Sequence, residues 1–119
     1  MAFIPVSDLD SARSFYGDVL GLPVWEGENP YAVALDAGGT MLRLTQVDDV
    51  RPQPFTIAGW QVPDIGEAID TLVVRGVTFI RYDGMGQDAK GVWSTPGGDH
   101  VAWFKDPDGN TLSLTRFSD

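Results

Sequence analysis

The chain repeats its own pattern. Val6-Ser7-Asp8-Leu9 with Ala12 matches Val62-Pro63-Asp64-Ile65 with Ala68, and Leu20-Gly21-Leu22 matches Arg75-Gly76-Val77. Gly39-Thr40-Met41-Leu42-Arg43-Leu44-Thr45 matches Gly109-Asn110-Thr111-Leu112-Ser113-Leu114-Thr115. The same signals recur in the same order, so both halves are expected to adopt one design. That design is a strand, an amphipathic helix and three strands. Such a unit covers one sheet face with its helix and leaves the other open. Two of them are expected to close around a shared cavity.

Each element has a local cause. Residues 3–6 are a short apolar strand. Ser7 and Asp10 stand at capping-box spacing, with Asp in place of Glu or Gln. Leu9, Ala12, Tyr16, Val19 and Leu20 recur at helical spacing, and Gly21 sits where a left-handed C-cap belongs. A helix of about three turns is predicted. Residues 23–25 continue extended, 26–30 form a polar loop, and 31–35 with 40–47 form a hairpin. In the second half, 56–62 read as a strand. Pro63-Asp64 opens a helix whose apolar face is Ile65, Ala68, Ile69, Leu72 and Val73, and Gly76 ends it. Strands are predicted at 77–82 and 92–95. The Gly-rich segment 83–91 between them reads as a surface connection, with a lid as the alternative. Trp60 shares a strand face with Ala58 and Val62 and is expected in the core. The last hairpin, Val101 to Thr115, turns at Asp106-Pro107-Asp108-Gly109-Asn110. There Pro107 presets φ, Gly109 supplies positive φ, and the Asp and Asn side chains bond nearby N–H groups.

The chain has 119 residues, 43% of them hydrophobic, enough for a packed core and too many for disorder. It has no cysteine, which excludes disulfides, thiolate metal sites and a cysteine nucleophile. No apolar run approaches membrane-spanning length, so a soluble, cytoplasmic protein without a membrane partner is expected. Seventeen acids against eight bases give a net charge of −9. Such a surface repels phosphate backbones, arguing against nucleic acid, and favours the arrival of cations. Neither a dinucleotide fingerprint nor a phosphate loop is present, and no cofactor is expected.

The segments VSDLDSARSFYGDVLGL, WQVPDIGEAIDTLVVRGV and VAWFKDPDGNTLSL, in that order, resemble the vicinal oxygen chelate superfamily. It includes glyoxalase I, the extradiol dioxygenases, the bleomycin-resistance proteins and the fosfomycin-resistance transferases. The resemblance covers nearly the whole chain. It implies an α+β fold of two tandem βαβββ modules forming a cupped mixed sheet, with a ligand pocket inside and a homodimer as the usual assembly. Module one would span 1–50, a linker 48–55 and module two 56–119, together one domain. Because this fold hosts several reactions, it does not name one.

Metal-using members of that superfamily place His or Glu at four cavity-facing positions. Two lie on the first strand of each module, seven residues before the Asp that opens the helix, and two between the paired leucines of the last strand. Those positions hold Met1, Ile57, Arg43 and Ser113. A thioether, a hydrocarbon, a fixed cation and a neutral hydroxyl are poor ligands for a divalent ion. Arg43 would oppose one, since like charges at ~4 Å repel by about 4 kcal/mol at an effective dielectric near 20. No metal is expected there.

Alternation turns Arg43 away from the helix, because Leu42 and Leu44 pack under it. Arg43 then reads as an anchor for an anion or carbonyl, or as half of an ion pair with a nearby carboxylate. Trp93 and Trp103 occupy pocket-wall positions by the same resemblance, with Ile57 and Ser113 completing the set. Large aromatics there stack on planar or cationic guests. His100, the only histidine, is a weak candidate for a general base. Two functions are carried forward: metal-independent binding of a small aromatic or cationic molecule, as in bleomycin resistance, and a metal-independent lyase, isomerase or transferase. A metal-dependent glyoxalase or dioxygenase ranks below both.

Overall fold

The computed structural model describes residues 1–25 and 32–118. The polar loop at 26–30 and the start of the predicted strand at Tyr31 lie outside the described residues. The chain divides into two compact units. The first comprises Met1–Pro52 with Asp106–Gly109, the second Gln53–Lys105 with Asn110–Asp119.

In the first unit, β1 (Ala2–Val6) runs parallel to β3 (Thr40–Gln46), and β2 (Ala32–Ala37) runs antiparallel to it, giving the order β1-β3-β2. Residues 23–25 contribute less than a strand. Val24 bridges Leu35, and the Trp25 N–H donates to the Ala34 carbonyl at 2.8 Å. Ile4, Val6, Leu35, Leu42 and Leu44 are buried with Ala12 and Tyr16 of the helical segment. Each large aliphatic side chain so enclosed is worth about 1.5–3 kcal/mol.

The expected three-turn helix is two kinds of helix. Leu9–Arg13 forms α1, and Ser14–Val19 widens into a π-helical turn in which the Leu20 N–H donates to the Phe15 carbonyl at 2.9 Å. Asp8, not Ser7, caps α1: its Oδ1 accepts from the Asp10 N–H at 3.0 Å. Ser7 is engaged elsewhere, its N–H and hydroxyl both donating to the Asp108 carboxylate. In the wide turn Tyr16 is fully buried and donates its hydroxyl to Asp106 Oδ2 at 2.6 Å. Burial and the Asp106 charge together push the Tyr16 phenol far above its ordinary value.

In the second unit the order is β4-β7-β6-β5, with β4 (Thr56–Gln61), β5 (Trp93–Ser94), β6 (His100–Lys105) and β7 (Thr111–Arg116). β4 and β7 run parallel, and β6 is antiparallel to β7 and β5. Between β4 and the rest, α2 (Ile65–Val74) is capped by Asp64, whose Oδ1 accepts from the Glu67 N–H at 3.0 Å. Ile65, Ile69 and Leu72 are buried with Ala102, Phe104, Leu112 and Leu114. Val73, expected on this face, is 52% exposed, and Trp60 is only half-buried because β4 is an edge strand. The strand predicted at 77–82 amounts to one bridge, Phe79 to Phe104, and that at 92–95 to two residues. The hairpin turn matches its composition: Gly109 has φ +87°, and Asp106 Oδ1 accepts from the Asp108 N–H at 2.9 Å.

Candidate functional site

Period two decides which residues leave the core. Because Ala102, Phe104, Leu112 and Leu114 are buried under α2, their strand neighbours occupy the helix-free face. One row across that face is Gly59, Ser113 and Trp103. The next is Gln61, Thr115, Val101 and Trp93. Trp93 and Trp103 therefore meet although ten positions apart in sequence: their rings stack with centroids 6.1 Å apart and planes 29° apart. Both are half-buried. Beside Trp103, Ser113 is 7% exposed, and a methyl group at Gly59 would overlap its Oγ. Ile57 is the extra residue of a bulge, since Thr56 pairs with Thr111 and Ala58 with Leu112.

A third ring joins them that sequence reading did not single out. Tyr82 sets its edge against Trp103, with centroids 5.4 Å apart and planes at 85°. The segment predicted as a surface connection holds it there through one side chain. Gln87 Oε1 accepts from the Tyr82 N–H at 2.7 Å, and Gln87 Nε2 donates to the carbonyls of Ile80 at 3.0 Å and Gly91 at 2.7 Å. Asp88 adds a turn of its own, its Oδ1 accepting from the N–H groups of Lys90 and Val92. One glutamine among glycines carries no sequence signal for this role.

In the first sheet the row through Arg43 is Phe3, Arg43 and Ala34. Leu42 and Leu44 are buried, so Arg43 occupies the helix-free face, half-buried. Among the described residues its guanidinium has neither a hydrogen-bond nor an ion-pair partner. One row along, Thr45 lies between Pro5 and Ala32, its Oγ1 enclosed without a partner. Met1 is 72% exposed.

His100 lies elsewhere. It shares its strand face with Ala102 and Phe104, opposite to Trp103, and its Nδ1 is 3.0 Å from Ser94 Oγ. The structure thus groups Trp93, Trp103 and Ser113 on one face, sets Arg43 on the helix-free face of the first sheet, and separates His100 from the tryptophans.

A profile of the glyoxalase/bleomycin resistance protein/dioxygenase superfamily matches residues 1–114. The chain belongs to that superfamily. A member of it from Sphaerobacter thermophilus is 28% identical, with a TM-score of 0.70 over 98% of this chain and 94% of that one. Another from Alicyclobacillus acidocaldarius is 23% identical, with a TM-score of 0.73 over 98% and 89%. A lactoylglutathione lyase from Agrobacterium tumefaciens is 18% identical, with a TM-score of 0.73 over 97% and 90%. The last two likenesses show the fold alone. No curated protein matches the chain significantly. Of the four positions that the sequence resemblance assigns to metal donors, none carries a His or a carboxylate here: Met1, Ile57, Arg43 and Ser113 do not fit a divalent ion. Among the described residues no group of three His, Cys, Asp or Glu is placed to hold one. No described helix is long and apolar enough to cross a membrane.

Proposed function

We propose that this superfamily member is a metal-independent binding protein that holds a small aromatic or cationic organic molecule, in the manner of bleomycin-resistance sequestration. The observation that carries the reading is the wall of Trp93, Trp103 and Tyr82 on the helix-free face of the second sheet. Three partly exposed rings offer both edges and faces, and a guest ring or ammonium set against them gains about 0.5–2 kcal/mol beyond its apolar burial. The net charge of −9 favours the arrival of cations. Ser113 supplies one hydroxyl to orient the guest, with Ile57 proposed beside it; Arg43, on the first sheet, is proposed separately as an anchor for an anionic or carbonyl group of an aromatic guest.

The enzymatic alternative, a metal-independent lyase, isomerase or transferase, has less support. Its base would have to reach the guest, but His100 occupies the opposite face, and no described residue in the rows beside the tryptophans is a carboxylate. Titration of tryptophan emission against an aromatic and quaternary-ammonium compound library tests the reading. Binding without turnover, weakened about tenfold or more by Trp103→Ala, is the expected result. Turnover with a bell-shaped pH profile abolished by His100→Gln would replace it with the enzymatic one. A homodimer goes with the proposed role, and sedimentation equilibrium reports it directly.

A further inference from the structure

We infer that the helix-free face of the first sheet is a subsite for an aromatic carboxylate, with Arg43 holding the carboxylate and Phe3 the ring. The inference deepens the binding role proposed above and rests on its reading of the helix-free faces as ligand surfaces.

Three observations converge. Arg43 has no partner among the described residues, in a chain where acids outnumber bases 17 to 8. Arg13 and Lys105, likewise without a partner among the described residues, are exposed, whereas Arg43 is half-buried. Its planar fork of donors is therefore partly withdrawn from water with no partner among the described residues, and a carboxylate matches it with two parallel hydrogen bonds. Second, Thr45 brings an unused hydroxyl to the same face two residues along the strand, a spacing of about 6.6 Å. To reach a carboxylate oxygen, that enclosed donor has to rotate about the Thr45 Cα–Cβ bond. Third, Phe3 stands directly beside Arg43 in register and is 63% exposed, a large apolar ring left in water. On the other side Ala34, half-buried, leaves the strand surface low. A cation, a hydroxyl, a bare ring and a small alanine neighbour fit a flat acid better than a flat amine, which Arg43 would repel.

The probes are benzoate, benzamide and benzylammonium, which share a ring and differ in charge. Calorimetry gives affinities, and the arginine Nε–Hε resonance that disappears in Arg43→Met reports contact at Arg43. We expect benzoate to bind at least tenfold tighter than benzamide, although the net charge of the protein repels it. Arg43→Met removes the preference, Arg43→Lys restores part of it, and Thr45→Val, which keeps the side-chain shape, reduces it severalfold. Equal affinity for benzoate and benzamide, or a preference that survives Arg43→Met, overturns the inference. If that happens while library compounds still quench tryptophan emission through Trp103, the carboxylate assignment alone falls. If no compound of either set binds, both readings fall.

Discussion

Tyr16→Phe isolates one hydrogen bond in the first unit without changing the packing around it. The ring is fully buried and stays so in the variant; only the hydroxyl that donates to Asp106 Oδ2 at 2.6 Å is lost. Asp106 is 5% exposed, so water does not replace the donor. A charge-assisted bond of this kind contributes about 1.5–3 kcal/mol, and we expect a loss near 2 kcal/mol at pH 7. With a urea dependence of about 1.5 kcal/mol per molar, the unfolding midpoint falls by roughly 1.3 M. The pH dependence has a definite sign. Burial and then Asp106 raise the Tyr16 phenol in the folded chain, so its contribution is complete below the unfolded phenol value near 10. Above that, the unfolded chain releases a proton that the folded chain keeps, and stability falls by up to about 1.4 kcal/mol per pH unit. The phenyl ring of the variant has no such proton. The gap between wild type and variant should therefore narrow by about 1.4 kcal/mol between pH 9 and pH 11. Urea unfolding followed by circular dichroism at both pH values measures it. A variant within about 0.5 kcal/mol of wild type at pH 7, the range of an inconsequential surface substitution, or a gap that does not change with pH, would refute the reasoning.

Gly59→Ala should destabilise by about 1–3 kcal/mol, because the new methyl overlaps Ser113 Oγ. Adding Ser113→Ala should recover part of that loss, and a double-mutant cycle with additive effects would show that the two residues do not meet. Gln87→Ala removes three hydrogen bonds that fix 80–91 and should cost about 2–3 kcal/mol. It should also shift Trp103 emission, because Tyr82 loses its backbone anchor; unchanged emission in a folded variant would mean that Tyr82 is held by something else.

The sides of the sheets were legible in the sequence. Leu42 and Leu44 turned Arg43 away from the helix, and Leu112 and Leu114 did the same for Ser113; both alternations are present. Alternation is a property of extended backbone alone, so it needs no partner. The caps at Asp64 and the Asp106–Gly109 turn are local for the same reason, each closing bonds within a few residues. Ser7 failed as a cap because a residue about a hundred positions away competes for its hydrogen bonds.

What stands opposite what was decided only in three dimensions. His100 and Trp103 are three residues apart, an odd interval that sends them to opposite faces, yet only the observed register of β6 made that binding. Nothing near Tyr82 foretold that it would meet Trp103, nor that Gln87 would hold it there. Tyr16 was assigned to a helix face, but its buried carboxylate comes from Asp106, ninety positions on. Periodicity encodes direction along one strand or helix. Contact between remote side chains depends on register and turn geometry, which the chain settles only when its apolar faces close together.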